Sequence, residues 1–281
     1  MLGIWNLIFM LPTYFIIFIF GLCVGSFINC LVWRLNQKKT ILGRSICPKC
    51  KKQIAWYDNV PLLSFILLKG KCRNCKREIS WQYPAVELTT SILFVIAFLV
   101  NFQFSIPSTL DNFQTIFNWQ FSTPSTIMFL RDILFISILI IIFIYDLRWQ
   151  LILDKITLPA MAVALGLNLW LGMNWINLLL AAGIGGGFFL AQYLVSRGRW
   201  IGGGDIRLGV LMGLMLGWPQ ILVALFLAYV SGSIIGIGLL ATGRKQWSSR
   251  VPFGAFLSAA TIVAMLWGEE MLHWYLKLIL F

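Results

Sequence analysis

The sequence predicts an all-α polytopic membrane protein, a bundle of about eight transmembrane helices. Of its 281 residues, 59% are hydrophobic and only 11% are charged. In soluble domains about a quarter of the residues are charged. The apolar runs are long and uninterrupted. They indicate helices rather than a β-barrel, because a helix satisfies its backbone hydrogen bonds within a single segment.

Eight apolar segments are the predicted spans, each near or somewhat below the ~20 residues that a bilayer requires. In chain order they are Pro12–Trp33, Pro84–Phe104, Ile127–Tyr145, Ile156–Met173, Ile176–Val195, Ile206–Leu216, Ile221–Ala241 and Pro252–Trp267. The sixth segment is the shortest. We expect its helix to begin within the membrane thickness, behind a glycine-rich turn.

The basic residues predict the topology. The formal net charge is +12, and twelve of the 22 Lys and Arg lie between Arg34 and Arg77, beside only Asp58 and Glu78. Such clustering next to a span follows the positive-inside rule, so we place this segment in the cytoplasm and both termini outside. Ser105–Thr126 has no Lys or Arg and is placed outside. The charge thus indicates topology and contact with anionic membrane lipids, and no nucleic acid is expected as a partner.

We therefore expect three parts: a first transmembrane helix (1–33), a cytoplasmic domain (34–83) and the remaining bundle (84–281). The cytoplasmic domain contains two CxxC pairs, Cys47 with Cys50 and Cys72 with Cys75. Thiols in a reducing compartment hold metal more often than they form disulfides. Lys and Arg flank each pair, which lowers the pKa of a thiol.

Four thiolates at this spacing are typical of tetrahedral zinc. A site with four protein ligands has no open position, so the Zn²⁺ is expected to be structural. The fold class is accordingly a helical membrane bundle with a small cytoplasmic zinc-binding loop domain. Between the pairs lies the apolar run Leu62–Leu68. It fits either an interfacial helix with aromatic anchors or a small core beneath the cysteines.

Two acids at span ends are the predicted catalytic residues. Asp146 ends the third span, and Asp205 opens the sixth, behind Gly202, Gly203 and Gly204. Ionisable groups at this depth usually mark function. Two close carboxylates share one proton, so that one activates water while the other protonates the substrate. The glycines form an active-site loop that a substrate strand can approach. The alternative for Asp205 is an ordinary helix N-cap.

Helix polarity suggests how the proton is shared. Asp146 lies at a helix C-terminus, which disfavours negative charge, and Asp205 at an N-terminus, which favours it. The hypothesis is that Asp146 holds the proton and Asp205 activates water. Candidate secondary residues are Asp154, Arg207 and Glu87. Asp154 either assists the site or caps the fourth span. Glu87, at the entry of the second span, either reaches a substrate amine or is structural.

Ordered motifs along nearly the whole chain carry a family resemblance. They are GLCVGSFINCLVWRL (21–35), the two CxxC pairs, WYDNVPLLS (56–64), ISWQYPAVEL (79–88), YDLRWQLILDKITLP (145–159), GGGDIRL (202–208) and VPFGAFL (251–257). The chain resembles the type IV prepilin peptidases, the bifunctional leader peptidases and N-methyltransferases of bacterial pilus and type II secretion systems. Leu153, Arg207 and Ala255 depart from the family pattern, where Pro, Lys and Pro are usual.

The resemblance implies the activity. Such enzymes lie in the bacterial inner membrane, with the active site and the zinc domain on the cytoplasmic side. They cut the leader from type IV prepilin and pseudopilin precursors and methylate the new N-terminus with S-adenosylmethionine. Asp146 and Asp205 fall on the family's catalytic aspartates, and the four cysteines on its metal site. The residues that bind the methyl donor are not identified, since the chain has no Rossmann glycine fingerprint.

Three alternative functions fit some of these sequence features. Presenilin-like and archaeal preflagellin proteases share the GxGD acid but lack this tetracysteine loop. A zinc-knuckle membrane transporter with proton-coupling aspartates is the non-enzymatic alternative. An assembly scaffold with decayed catalysis is disfavoured by the intact acids. The particular pilin-like substrates and the oligomeric state are not assigned by the sequence.

Overall fold

The structure is a computed structural model that describes residues 2–40, 43–102, 123–242 and 252–280. Most of the predicted outer segment Ser105–Thr126 lies outside the described residues, as does the end of the second predicted span. The described helices are α1 (Leu2–Asn36), a 3₁₀ helix (Trp56–Asn59), α2 (Leu63–Leu67), α3 (Gln82–Asn101), α4 (Thr123–Trp149), α5 (Asp154–Trp170), α6 (Trp175–Ser196), α7 (Gly203–Leu216), α8 (Gln220–Ala241) and α9 (Phe253–Leu280).

The predicted all-helical membrane fold is confirmed. Each of the eight predicted spans falls on one helix, α1 or α3 to α9. Six of these, α1, α3, α4, α6, α8 and α9, are long and apolar enough to cross a membrane. The other two are shorter, since α5 has 17 residues and α7 has 14. Among the described residues the only β-pairing consists of two isolated bridges, both beside the cysteines.

The chain forms two compact units, Met1–Trp119 and Gln120–Phe281. In the first, α3 packs against α1. The packing of the two helices is close and antiparallel, which the apolar sequence of α3 does not reveal. The division into three parts (1–33, 34–83 and 84–281) remains a prediction.

Small residues of α1 make that packing possible. A Cβ at Gly21 would lie 2.5 Å from the Cα of Ser91, and one at Gly25 would lie 2.7 Å from the Cα of Glu87. One turn further along, the Asn29 side chain donates to the Tyr83 carbonyl over 3.0 Å. The contacting residues thus recur every four positions, ascending along α1 and descending along α3. Such spacing is typical of closely packed antiparallel helices in membranes.

In the second unit, α7 lies in the centre and packs against α5, α6, α8 and α9. From Leu208 to Leu216 all its residues except Val210 are buried. Gly209 meets the backbone of Gly185 on α6, and Gly213 meets the backbone of Ala181. A helix enclosed on all sides needs no polar face, which explains why its sequence reads as uniformly apolar.

The C-terminal end of α7 is satisfied by side chains of neighbouring helices. With 14 residues the helix is about 21 Å long, less than the ~30 Å of a hydrocarbon core. Asn168 of α5 is fully buried and donates to the carbonyls of Leu214 (2.6 Å) and Met215 (3.2 Å). Asn177 of α6 bonds both the N–H and the carbonyl of Trp218. Because these amides satisfy backbone groups that have no helical partner, α7 can end in apolar surroundings.

Two glycine substitutions on α6 test the packing with α7. Gly185→Ala places a methyl group against the Gly209 backbone, whereas a Cβ at Gly187 meets nothing within 4 Å. Overpacking costs about 1–3 kcal/mol, while an unobstructed helical Gly→Ala change gains about 1 kcal/mol. We expect Gly185→Ala to lower the melting temperature in detergent by several degrees and Gly187→Ala to leave it equal or higher. Equal melting temperatures for the two variants would contradict this packing.

Candidate active site and metal centre

The two predicted catalytic acids line a single cleft in the second unit. The cleft has a volume of about 530 Å³, and three segments form its walls. The first is the end of α4 with Asp146, the second is the connection from Gln150 into α5, and the third is the beginning of α7 with Asp205. Residues 59 positions apart in the sequence are thereby brought to one site.

Asp146 is held by the N-terminus of α9. Its side chain is only 5% exposed, and its Oδ2 accepts the backbone N–H of Ala255 over 2.8 Å. The N–H of Gly254 also donates to this carboxylate. A Cβ at Gly254 would lie 3.0 Å from the Asp146 carboxyl group, so glycine permits the close approach. These N–H groups belong to the first turn of α9 and have no partner within the helix.

Asp205 lies in the first turn of α7, where Gly202 is the N-cap. The backbone N–H of Gly202 donates to Oδ2 of Asp205 over 3.1 Å. Asp205 is therefore not the N-cap that the alternative interpretation expected. It is the third helical residue, whose side chain reaches back to the N-cap backbone as in a capping box.

Both acids thus interact with a helix N-terminus, Asp146 with that of α9 and Asp205 with that of α7. The hypothesis that assigned the proton from helix polarity counted only the helix that carries each acid. For Asp146 it missed α9, whose N-terminal N–H groups favour a carboxylate. Helix polarity therefore does not distinguish the two acids.

Ile152, which sequence reasoning missed, lies between the two helix N-termini. It follows α4 in the connection to α5, and its side chain is 3.0 Å from a Cβ built at Gly204 and 3.0 Å from one built at Gly254. Of the three loop glycines only Gly204 is in tight contact. A Cβ at Gly203 meets nothing within 4 Å, and both Gly202 and Gly203 are exposed at the cleft.

The secondary candidates Asp154 and Arg207 form an ion pair across the cleft. Asp154 begins α5, whose N-cap is Leu153, so the expected capping role of Asp154 is replaced by a bond to Arg207 of α7. Both side chains are about half exposed, at 49% and 45%. Such a pair contributes at most about 1 kcal/mol to stability, but it connects two walls of the cleft.

The third secondary candidate, Glu87, lies in the first unit. It is 7% exposed on α3, and its Oε2 accepts the backbone N–H of Leu62 over 2.8 Å. Leu62 has a positive φ of 55°, which is unusual for a branched side chain. Glu87 therefore holds the segment before α2 in place, which is a structural contact.

The four cysteines of the CxxC pairs come together in the first unit. Their sulfur atoms all lie within 4.8 Å of one another. Around tetrahedral zinc, with Zn–S bonds of about 2.3 Å, sulfurs are about 3.8 Å apart. The donor set and its spacing therefore fit a structural zinc ion.

The two pairs form a structural repeat with an offset of 25 residues. In the first, the Cys47 N–H donates to the Lys52 carbonyl, and the Cys47 carbonyl accepts from the Lys51 N–H. In the second, Cys72 makes the same two backbone hydrogen bonds with Arg77 and Lys76. The bridges Ile46–Gln53 and Lys71–Glu78 keep the same offset. The repeat is also visible in the sequence when SICPKCKKQI (45–54) is aligned with GKCRNCKREI (70–79).

Two of the four thiols have shifted pKa values, and the shifts have opposite directions. The pKa of Cys72 is lowered to about 7, mainly because the backbone N–H of Cys75 donates to its sulfur. The cause is thus the turn itself rather than the flanking Lys and Arg. The backbone N–H of Lys52 lowers the pKa of Cys50. Burial and the thiols of Cys47 and Cys75 together outweigh this effect, so the pKa is raised to about 11. Four adjacent thiolates need a cation among them.

Arg73 connects the second pair to the 3₁₀ helix. It donates to both oxygens of Asp58, over 2.8 and 2.7 Å, and holds the pKa of that carboxyl below its usual value. Its guanidinium also lies 5.3 Å from the Tyr57 ring centroid. The segment between the cysteine pairs is thereby tied to the proposed metal centre.

Removing one thiol tests the metal centre. Cys72→Ser should abolish stoichiometric zinc binding, measured by elemental analysis of the purified protein, because a structural site requires all four ligands. Hydrogen exchange should then accelerate in residues 43–81 and remain unchanged in α4 to α9. Cys30→Ser is the control, since Cys30 lies in α1 outside the cluster. Zinc retained by the first variant, or lost in the second, would overturn the assignment.

Comparisons with known proteins agree with this arrangement. Residues 19–101 match the Bacterial Peptidase A24 N-terminal domain, and residues 133–237 match the Type IV leader peptidase family. The latter match contains both Asp146 and Asp205. No solved structure matches the chain.

Curated relatives cover nearly the whole chain. A Bacillus subtilis protein named prepilin leader peptidase/N-methyltransferase is 32% identical over 269 residues, which are 94% of this chain and 98% of that relative. Proteins of the same name from Aeromonas salmonicida and Legionella pneumophila are each 30% identical, with 94% of both chains covered. With two cleft acids, a tetracysteine cluster and these matches along its length, the chain belongs to the type IV leader peptidase family.

Proposed function

We propose that this protein cleaves the leader from type IV prepilin-like precursors and methylates the new N-terminal residue. The single observation that carries the proposal is that Asp146 and Asp205 line one cleft, in a chain whose relatives are named prepilin leader peptidase/N-methyltransferase. The alternative of a zinc-knuckle transporter is not favoured, because the matching family and the relatives are named for leader peptidase and N-methyltransferase activity.

Asp146 and Asp205 would act as a dyad that shares one proton. The ionised carboxylate takes a proton from water, and the oxygen of that water attacks the scissile carbonyl carbon. The protonated carboxyl gives its proton to the carbonyl oxygen. When the C–N bond breaks, the carboxyl that took the proton from water gives it to the leaving amine. One hydroxyl of the gem-diol returns its proton to the other carboxylate, which leaves a carboxylic acid product and restores the dyad. Because the acids are coupled, the proton belongs to the pair and not to one residue.

The cleft would open toward the cytoplasm of a bacterial inner membrane. Arg148 at the end of α4, Lys155 in α5 and Arg207 in α7 all lie at the cleft end of these helices. Arg131 lies about 26 Å from Arg148 toward the other end of α4, at 1.5 Å per residue. The excess of basic residues at the cleft end supports a cytoplasmic orientation by the positive-inside rule.

We assign cleavage to the unit Gln120–Phe281 and associate methylation with the unit Met1–Trp119. Cys47, Cys50, Cys72 and Cys75 would hold structural Zn²⁺, which would stabilise the loop between them and take no part in bond breaking. S-adenosylmethionine would supply the methyl group when bound. The substrates would be prepilin and pseudopilin precursors.

Acid-to-amide substitutions test the dyad. Purified protein is incubated with a prepilin, with and without S-adenosylmethionine, and the products are weighed by mass spectrometry. Asp146→Asn and Asp205→Asn should each lower cleavage by at least about 100-fold, the scale of lost acid–base catalysis. Both should still methylate a substrate that was cut beforehand. Asp154→Asn is the matched control in the same cleft and should cost much less, because its ion pair is exposed. Full cleavage by either dyad variant would disprove the mechanism.

The role of Glu87 is separated from catalysis by a conservative change. Glutamine keeps an oxygen that can accept the Leu62 N–H, so Glu87→Gln should retain both cleavage and methylation. Glu87→Ala leaves that N–H unpaired, a cost of about 1–3 kcal/mol, and should lower thermal stability. Loss of methylation alone in Glu87→Gln would show that the carboxylate acts in methyl transfer.

A further inference from the structure

The segment around α2 has an exposed apolar surface that the proposed reaction does not use. None of the five residues of α2 is buried, and Leu63, Ile66 and Leu67 are 53%, 68% and 71% exposed. The interpretation of this run as a small core beneath the cysteines is therefore wrong. Trp81, which immediately precedes α3, is 76% exposed and packs edge-on against Phe65 at a centroid distance of 5.0 Å.

This surface lies alongside the first turns of a candidate membrane span. α3 has 20 residues and is about 30 Å long, which is just the thickness of a hydrocarbon core. The Leu62 N–H bonds Glu87, which is five residues into α3, about 7.5 Å along its axis. Phe65 contacts Trp81 at the start of the same helix. The segment thus lies beside α3 at the level where that helix enters the membrane.

The backbone of the segment is suited to such a place. The N–H groups of Ser64, Ile66 and Leu68 each donate to the carbonyl four residues earlier in the chain. These acceptors belong to Val60, Leu62 and Ser64. The Leu62 N–H, which precedes the helix, is satisfied by the Glu87 carboxylate. Backbone groups paired within the protein are required for any segment that leaves water.

Exposed basic residues adjoin the apolar surface. Lys69 and Lys71 directly follow α2 and are exposed. An apolar helical surface next to lysines and bordered by tryptophan is typical of elements that lie in the plane of a membrane interface. Lysines at such a surface attract anionic headgroups.

We propose that α2 is an interfacial anchor: Leu63, Ile66 and Leu67 enter the acyl region beside α3, and Lys69 and Lys71 bind anionic phospholipid headgroups. The occupant of the surface is the lipid of the membrane that α3 crosses. The anchor would fix the cysteine cluster at the bilayer surface through the chain that connects α2 to Cys72. This inference is independent of the peptidase assignment.

Photo-crosslinking in the full-length protein tests the anchor. p-Benzoylphenylalanine is introduced at Ile66, and the protein is reconstituted in vesicles of phosphatidylethanolamine and phosphatidylglycerol. After illumination, lipid adducts are identified by peptide mass spectrometry. Leu99 of α3, which is 49% exposed, is the positive control, and Lys49, exposed between the first two cysteines, is the negative one. We expect an adduct yield at Ile66 close to that at Leu99 and several-fold above that at Lys49.

Other outcomes are equally decisive. A yield at Ile66 as low as at Lys49 would overturn the anchor, and so would protein–protein adducts at Ile66, which would indicate a second copy or another protein on this surface. Leu67→p-benzoylphenylalanine repeats the measurement at an independent exposed position. Phosphatidylglycerol should be enriched several-fold among the adducts, and the enrichment should fall in the Lys69→Gln/Lys71→Gln variant. Adducts that match the bulk lipid composition in both proteins would disprove the anionic contact.

Discussion

The hydrogen bond from the Ala255 backbone to the Asp146 carboxylate organises the whole cleft. A buried carboxylate in an apolar bundle is costly unless donors surround it, and the first turn of α9 supplies them. Gly254 permits the approach, and Ile152 fills the space between Gly254 and Gly204. The N-terminus of α7, and with it Asp205, is thereby placed against the same connection that follows Asp146.

The short helix α7 is held at both ends by polar contacts. Near its N-terminus Arg207 pairs with Asp154 of α5, and its C-terminal carbonyls accept from Asn168 of the same helix. Between them, glycines press its backbone against α6. A helix fixed at both ends and enclosed along its length has little freedom to slide, which keeps Asp205 at a defined position in the cleft. The family's catalytic chemistry requires such placement, because proton transfer depends on distances of about 3 Å.

The first unit uses different interactions for a similar purpose. The segment between α1 and α3 has little buried apolar surface, so order comes from the cysteine cluster, the Arg73–Asp58 pair and the Glu87–Leu62 bond. The 25-residue repeat gives each CxxC pair the same turn, and each turn directs its backbone N–H groups toward sulfur. Small domains without a sufficient core commonly rely on a metal in this way.

Long apolar runs, CxxC spacing and isolated charges are local signals, and they predicted the helical membrane class, the positions of the eight spans, the four clustered cysteines and the two cleft acids. Contacts between residues that are distant in the sequence depend on the tertiary fold. The donors to Asp146 are backbone N–H groups of a helix 109 residues away, and backbone groups leave no trace in residue identity. For the same reason helix polarity, counted along the sequence, does not show which of the two acids holds the proton. The grouping of α3 with α1 likewise depends on close packing at glycines, which composition does not encode.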